Sequence, residues 1–478
     1  MTSTLDEPSP MVGREAPPNL AQKEPPRRDR RYLGGPLVQS FQVRLRTTTP
    51  ILGGSPEPRQ VDTVDVIRVP SIRGHLRFWW RALHGHECPT AQALAERERA
   101  LWGGVGGEQG TRSRVEVRVE VERASVTGNP DNVKPGDTGA YALWPARASN
   151  TESAAPQLNA GLLFQLHLRA PLEHMTEVEN TVRAWILWGG YGGRTRRGLG
   201  GLTVVDELSR WLPSTPARED LRKLFHGLPL LGAAPAGGAR QVPLLQGARL
   251  FHGRTEKASE TAWVNALAWL RDFRQDQGPR GNRGEGSTSH FAREWGAPKR
   301  PGRSRWPEAD KIRALVRKPD GTAWAHVPRA AYSTSREASW PRAGFGLPLA
   351  TRFQQNARPS PGERQVRPYA EREPDDVELR WHDGKKVRER FASPLIVKAM
   401  PLANGTFVPI ALWLCRAWPD HGHVVLLRKG HREHVPGSEA PFERLLAPGD
   451  TALYAPLRAS SLSEAFFSWV KARGAKES

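Results

Sequence analysis

Arginine recurs at helical spacing in one segment, Pro70-Ser-Ile-Arg-Gly-His-Leu-Arg-Phe-Trp-Trp-Arg-Ala-Leu-His-Gly85. Arg73, Arg77, Arg81 and His84 stand at i, i+4, i+8 and i+11, so a helix over this segment stacks them into one cationic stripe. Ile72, Leu76, Trp79 and Leu83 form an apolar stripe beside it. Trp80 falls between the two, where its ring can pack inward while one edge stays exposed. Guanidinium groups beside an exposed aromatic suit a polyanion that also presents flat bases, that is, single-stranded nucleic acid. An amphipathic core helix with a solvated basic face fits the same spacing. Ser71 is the expected N-cap and Gly85 the expected stop.

A second constellation is Gly189-Gly-Tyr-Gly-Gly-Arg-Thr-Arg-Arg-Gly-Leu-Gly-Gly201, in which seven of thirteen residues are glycine and three are arginine. Glycine admits positive φ and lets another molecule approach the backbone. Successive N–H groups of Gly190, Gly192, Gly193 and Gly198 could then line an anion-binding concavity. Arg194, Arg196 and Arg197 would bring charge to it and Tyr191 a stacking face. No Gly-Lys-Ser/Thr follows and the loop leaves a helix, which excludes a P-loop and a Rossmann turn. A phosphodiester backbone across the loop explains the composition better than a flexible connector, and no cofactor is expected.

The whole chain supports a polyanionic partner. Across 478 residues, 70 Lys and Arg face 50 Asp and Glu, a net charge of +20. Cys88 and Cys415 are too far apart in sequence to suggest a disulfide framework. His84, His86 and Cys88 run through a helix end without a metal-ligand pattern, so no metal site is expected. With no long apolar run and no leader signal, the protein is expected to be soluble and cytoplasmic, without membrane contact.

Residues 1–34 are rich in Pro, Arg, Glu and Asp and are expected to form a disordered tail. Alternation predicts strands around Phe41–Leu45, Val115–Glu122, Phe164–Leu168 and Leu202–Val205, with helices over 70–85, about 90–101 and about 172–188. The order strand, helix, strand, strand, helix, strand is the βαββαβ (RRM-like) unit of a ferredoxin-like α+β domain, placed at 35–210. Residues 211–478 suggest a second α+β domain. Its expected elements are helices near 261–273, 309–316 and 461–470, a hairpin turning at Asn404-Gly405, and a strand at 424–427. A Gly/Arg-rich insertion over about 275–305 is expected to be mobile, and the topology of this half stays open.

These residues resemble the RAMP superfamily of CRISPR-associated proteins, in which a glycine-rich loop precedes the last strand of a ferredoxin-like domain. More specifically, Thr49-Pro-Ile-Leu-Gly-Gly54, the segment from Val69 to Leu83, Leu101-Trp-Gly-Gly104 and the loop from Gly190 to Leu202 are similar to the first subunit of the Cmr module, the type III-B CRISPR effector complex. Arg303-Ser-Arg-Trp-Pro-Glu308 and Phe391-Ala-Ser-Pro-Leu-Ile-Val397 extend the likeness into the second half. The resemblance implies two ferredoxin-like RAMP domains with insertions, in a non-catalytic subunit of a ribonucleoprotein for antiviral defence. It implies guide RNA, held at its 3′ part, target RNA and other Cmr subunits as partners.

Some RAMP relatives instead cut CRISPR transcripts without metal, using a histidine as general acid or base. His75, His84 and His167 are the candidates for that alternative, but they form no tight group with Tyr or Lys in sequence. Asp62 and Asp65, and Glu116, Glu120 and Glu122, read as solvated charges rather than metal-binding carboxylates.

Overall fold

The computed structural model turns the alternating segments into strands and the arginine-rich segment into a helix. It describes residues 37–275 and 306–478, apart from 58, 63, 107–109, 125–126, 129–136, 149–151, 238–240, 319–320, 323, 325–335, 354–373 and 429–432. The tail expected over 1–34 and nearly all of the insertion expected over 275–305 lie outside the described residues.

The first half runs β1 (Val38–Thr47), β2 (Ile51–Leu52), α1 (Val69–His84), α2 (Ala91–Trp102), β3 (Glu116–Arg123), β4 (Thr127–Gly128), α3 (Ala140–Leu143), β5 (Gln157–Leu158), β6 (Leu163–Pro171), α4 (Met175–Trp188) and β7 (Leu202–Val204). One sheet takes the order β3-β6-β1-β7, and each neighbouring pair is antiparallel. A βαββαβ chain yields this order when its two helices cover one face. The short strands β2, β5 and β4 form a separate sheet. Thr90 caps α2 by accepting from the Ala93 N–H. Ser71 does not cap α1. Pro70, which lacks an N–H and is preset for the first helical turn, lets the helix begin at Val69, ahead of the serine.

The second half runs α5 (Leu208–Trp211), α6 (Arg218–Leu224), β8 (Leu244–His252), α7 (Ser259–Gln275), α8 (Glu308–Leu315), β9 (Leu349–Thr351), β10 (Val377–His382), β11 (Val387–Arg388), β12 (Leu395–Pro401), β13 (Phe407–Cys415), β14 (His423–Arg428), α9 (Leu462–Ala472) and β15 (Lys476–Glu477). Its main sheet has the antiparallel order β12-β13-β8-β15. With α7 after β8 and α9 before β15, the element order of the first half recurs. β11, β10 and β14, with β9 beside β10, form a further sheet over a third core that includes Trp340, Leu379, Phe391 and Leu426. No helix among the described residues is long and apolar enough to cross a membrane.

β12 is buried on both faces, and its alternation shows how the halves join. Ile396 and Met400 share a core with Leu76 of α1 and Trp185 of α4. Leu395, Val397 and Ala399 share another with Trp263 of α7 and Phe466 of α9. Helices α1 and α4 therefore lie between the two sheets. Lys398 projects on the α4 side and is 0 % exposed. Its Nζ donates to the Ile186 carbonyl (3.0 Å) and the Gly189 carbonyl (2.8 Å), two acceptors that the end of α4 leaves without helical partners.

Burial pushes Lys398 down to about 7 from its ordinary 10.5. The unfolded chain keeps that proton up to about 10.5 while the folded chain sheds it from about 7, so folding gains stability as pH rises through this window. The melting temperature is expected to rise between pH 7 and pH 9, and Lys398→Met is expected to flatten that rise. Thermal melts of both proteins at the two pH values provide the check.

Candidate nucleic-acid interface

The expected cationic stripe on α1 forms, but most of it is engaged inside the protein. Arg73 donates to the Val115 carbonyl (2.9 Å) and the Trp102 carbonyl (2.7 Å). Arg77 and Arg81 both donate to one oxygen of Glu98 on α2, at 2.6 and 2.5 Å. His84 is buried and its Nδ1 lies 2.9 Å from Glu87. Burial acts to raise the Glu87 carboxyl, but bonds from His84 and Arg97 outweigh it and hold the group at about 2. Trp80 corrects the expectation of an exposed edge: it is 0 % exposed, within the core shared with Trp102 and Leu94. α2 closes over the side of α1 that spacing alone left open.

The Gly/Arg loop is likewise a built structure. N–H groups of Tyr191, Gly193 and Gly200 donate to the carbonyls of Gly200, Leu52 and Pro50. The Gly201 N–H donates to Thr49 Oγ1 (2.8 Å), which itself donates to the Gly198 carbonyl (2.6 Å). A 3-10 turn covers Thr195–Arg197. These bonds take up N–H groups that an open anion concavity would need. The close approach that glycine permits is made by the protein itself. A Cβ on Gly200, at φ +61°, would meet the Tyr191 carbonyl oxygen at 1.8 Å, and one on Gly198, at φ +77°, would meet the Trp263 ring at 2.5 Å. Tyr191 offers no stacking face either. It is fully buried, and its hydroxyl accepts from the Arg68 N–H at the start of α1 (2.9 Å).

The loop arginines point to a different site from the one spacing suggested. Arg194 and Arg197 meet Arg274 of α7 and Arg342 of the 3-10 turn Pro341–Phe345 around a cavity of about 290 Å3, completed by Tyr141 and Pro145. Arg274 donates to the Tyr141 hydroxyl (3.2 Å), and Arg342 lies 3.2 Å from the buried carboxylate of Glu308. Burial pushes Arg197 down to about 10; Arg274, Arg194 and Arg196 add to the shift, and Tyr141 opposes it. Arg194 is lowered in the same direction by desolvation and by Arg274, Arg390 and Arg59, again against Tyr141. Arg196 faces elsewhere, 5.4 Å over the Phe78 ring, and burial with Arg416 nearby takes it to about 10. Sequence reasoning missed Tyr141, Arg274 and Arg342, which belong to no motif. Lys398 carried a signal, being a lone lysine inside the apolar run Leu395-Ile-Val-Lys-Ala-Met400.

The three candidate histidines do not converge. His75 is half-buried between Trp185 and Tyr191, and burial lowers it to about 4. His84 stands nine residues along the same helix, about 13 Å of rise away. His167 lies on the outer face of the first sheet, 3.5 Å from Glu120. That face is laced with charge pairs, including Arg44 with Glu122 (2.7 Å) and Arg169 with Glu116 (3.5 Å).

Residues 44–203, which run from β1 to β7, match the RAMP superfamily. The CRISPR system Cmr subunit Cmr1-1 of Pyrococcus furiosus is 31% identical over 178 residues, 35% of this chain and 48% of that protein. The resemblance drawn from the sequence motifs is thereby borne out, over about half the length of that relative. Among solved structures, the apo crystal structure of Cmr1 from Pyrococcus furiosus aligns over 92% of this chain and 98% of its own, with a TM-score of 0.44 and 14% identity. A chain of the type III-B Cmr-beta cryo-EM structure bound to cognate target RNA aligns over 80% and 95%, with a TM-score of 0.40 and 10% identity.

Because Trp80 fills the core, Trp80→Ala is expected to destabilise the fold by about 3–5 kcal/mol. Glu98→Gln, which weakens the bonds to Arg77 and Arg81, is expected to cost about 1–3 kcal/mol. Urea unfolding of the two variants measures both.

Proposed function

We propose that this chain is a non-catalytic RNA-binding subunit of a type III-B CRISPR ribonucleoprotein, acting in antiviral defence in the cytoplasm. On this reading its partners are guide RNA, target RNA and other subunits of the complex. It holds the 3′ part of the guide and helps capture the target. The observation that carries the reading is the meeting of Arg194, Arg197, Arg274 and Arg342 around one cavity. Guanidinium groups from three separate segments, with no carboxylate among the described lining residues, suit phosphate. The net charge of +20 and the naming of the 31% identical relative as a Cmr subunit support the same conclusion.

The two halves, 35–210 and 211–478, are read as ferredoxin-like RAMP domains, since each repeats the β-α-β-β-α-β order with the same strand arrangement. RNA is placed along the seam between them, at Arg194, Arg197 and the turn ending at Gly198, and not on the charge-paired outer face of the first sheet. Arg73, Arg77, Trp80, Arg81 and His84 support the fold beneath that seam. The separation of His75, His84 and His167 speaks for binding over transcript cleavage.

The test uses a short single-stranded RNA titrated at several salt concentrations. Arg194→Ala combined with Arg274→Ala is expected to weaken binding about tenfold. The slope of log affinity against log salt should flatten by about 0.7 for each phosphate that the variant no longer neutralises. An unchanged slope with unchanged melting would overturn the placement.

A further inference from the structure

The arginine cavity has more positive charge than one internal phosphodiester can offset. Arg194, Arg197, Arg274 and Arg342 line it, and Arg59 and Arg390 add to the field at Arg194. Among the described residues, two of these have carboxylate partners: Arg342 with Glu308 at 3.2 Å and Arg59 with Glu152 at 3.5 Å. Arg274 disfavours the charge of both Arg194 and Arg197, and Arg194 disfavours that of Arg197. A diester brings one negative charge shared by two terminal oxygens. A phosphate monoester brings nearly two charges and three strong acceptor oxygens, enough to engage three guanidinium groups at once.

Size argues the same way. At about 290 Å3 the cavity stands at the small end of ligand pockets, which suits one phosphate with the sugar carrying it better than a run of nucleotides. Its walls are held in place. Arg197 donates to the Leu395 carbonyl (3.3 Å) at the start of β12, while Arg274 is bonded to Tyr141. A ligand therefore meets donors that are already arranged.

We propose that this cavity receives the terminal phosphate monoester of an RNA strand. The inference rests on the RNA-binding reading above and goes beyond it by naming the chemical group bound. Four probes of one sequence and concentration series test it: RNA with a 3′-phosphate, RNA with a 5′-phosphate, RNA with hydroxyls at both ends, and a free nucleoside monophosphate as competitor. One phosphate-ended RNA is expected to bind about tenfold more tightly than the hydroxyl-ended RNA. That preference is expected to vanish in Arg194→Ala and to shrink in Arg274→Lys, with melting temperatures unchanged. Equal affinity for all three RNAs, still lowered by Arg194→Ala, would overturn the inference and leave RNA binding standing. Competition by the free nucleotide as strong as by phosphate-ended RNA would also overturn it, in favour of a nucleotide ligand. Failure of any RNA to bind the full chain would remove the underlying reading itself.

Discussion

A buried amine holds the two halves in register. Lys398 reaches from the middle of β12 to the carbonyls of Ile186 and Gly189, where α4 ends and the Gly/Arg loop begins. Taking an ammonium fully out of water costs several kcal/mol unless it is bonded, and the end of a helix supplies unpaired carbonyls and partial negative charge. Neither partner is satisfied alone. The docking of β12 on α4 meets both needs, and it sets where the loop arginines stand relative to α7. An amine donates whether charged or neutral, so the link survives the lowering of its proton affinity.

Arginine serves two different purposes in this chain. On α1 it braces the fold: Arg73 is bonded to backbone carbonyls, and Arg77 and Arg81 share Glu98. On the outer face of the first sheet it neutralises glutamates row by row. Ferredoxin-like modules that bind RNA on the sheet do so with aromatic side chains. Here that face presents Arg44, Glu116, Arg118, Glu120, Glu122, His167 and Arg169 instead. At the seam, arginines of the loop, of α7 and of the turn Pro341–Phe345 come together around a cavity with no carboxylate among its described lining residues.

Much of the first half was legible because its signals are local. Val43 and Leu45 alternate with arginines, and Val117, Val119 and Val121 alternate with glutamates, so one-sided strands appear directly in the chain. Helix α4 ended where Gly189-Gly190 said it should. β8 was missed because it is covered on both faces, so Leu244-Leu-Gln-Gly-Ala-Arg-Leu-Phe251 shows no alternation to read. β15 has two residues and owes its existence to pairing with His252 and Phe251. Without those two strands the repeated topology of the second half could not be seen.

The sequence by itself determined the kinds of element, their order in the first half, and a Gly/Arg loop placed before a closing strand. These depend on side-chain periodicity and backbone freedom within a few residues of each position. Only the tertiary structure decided which arginines are committed and which converge. Arg77 meets Glu98 from 21 positions away. Arg197 meets the cavity wall that Arg274 supplies from helix α7 and Arg342 from the turn Pro341–Phe345. Electrostatic fate follows distance in space, and no spacing along the chain records which charges folding will bring within a few ångströms of each other.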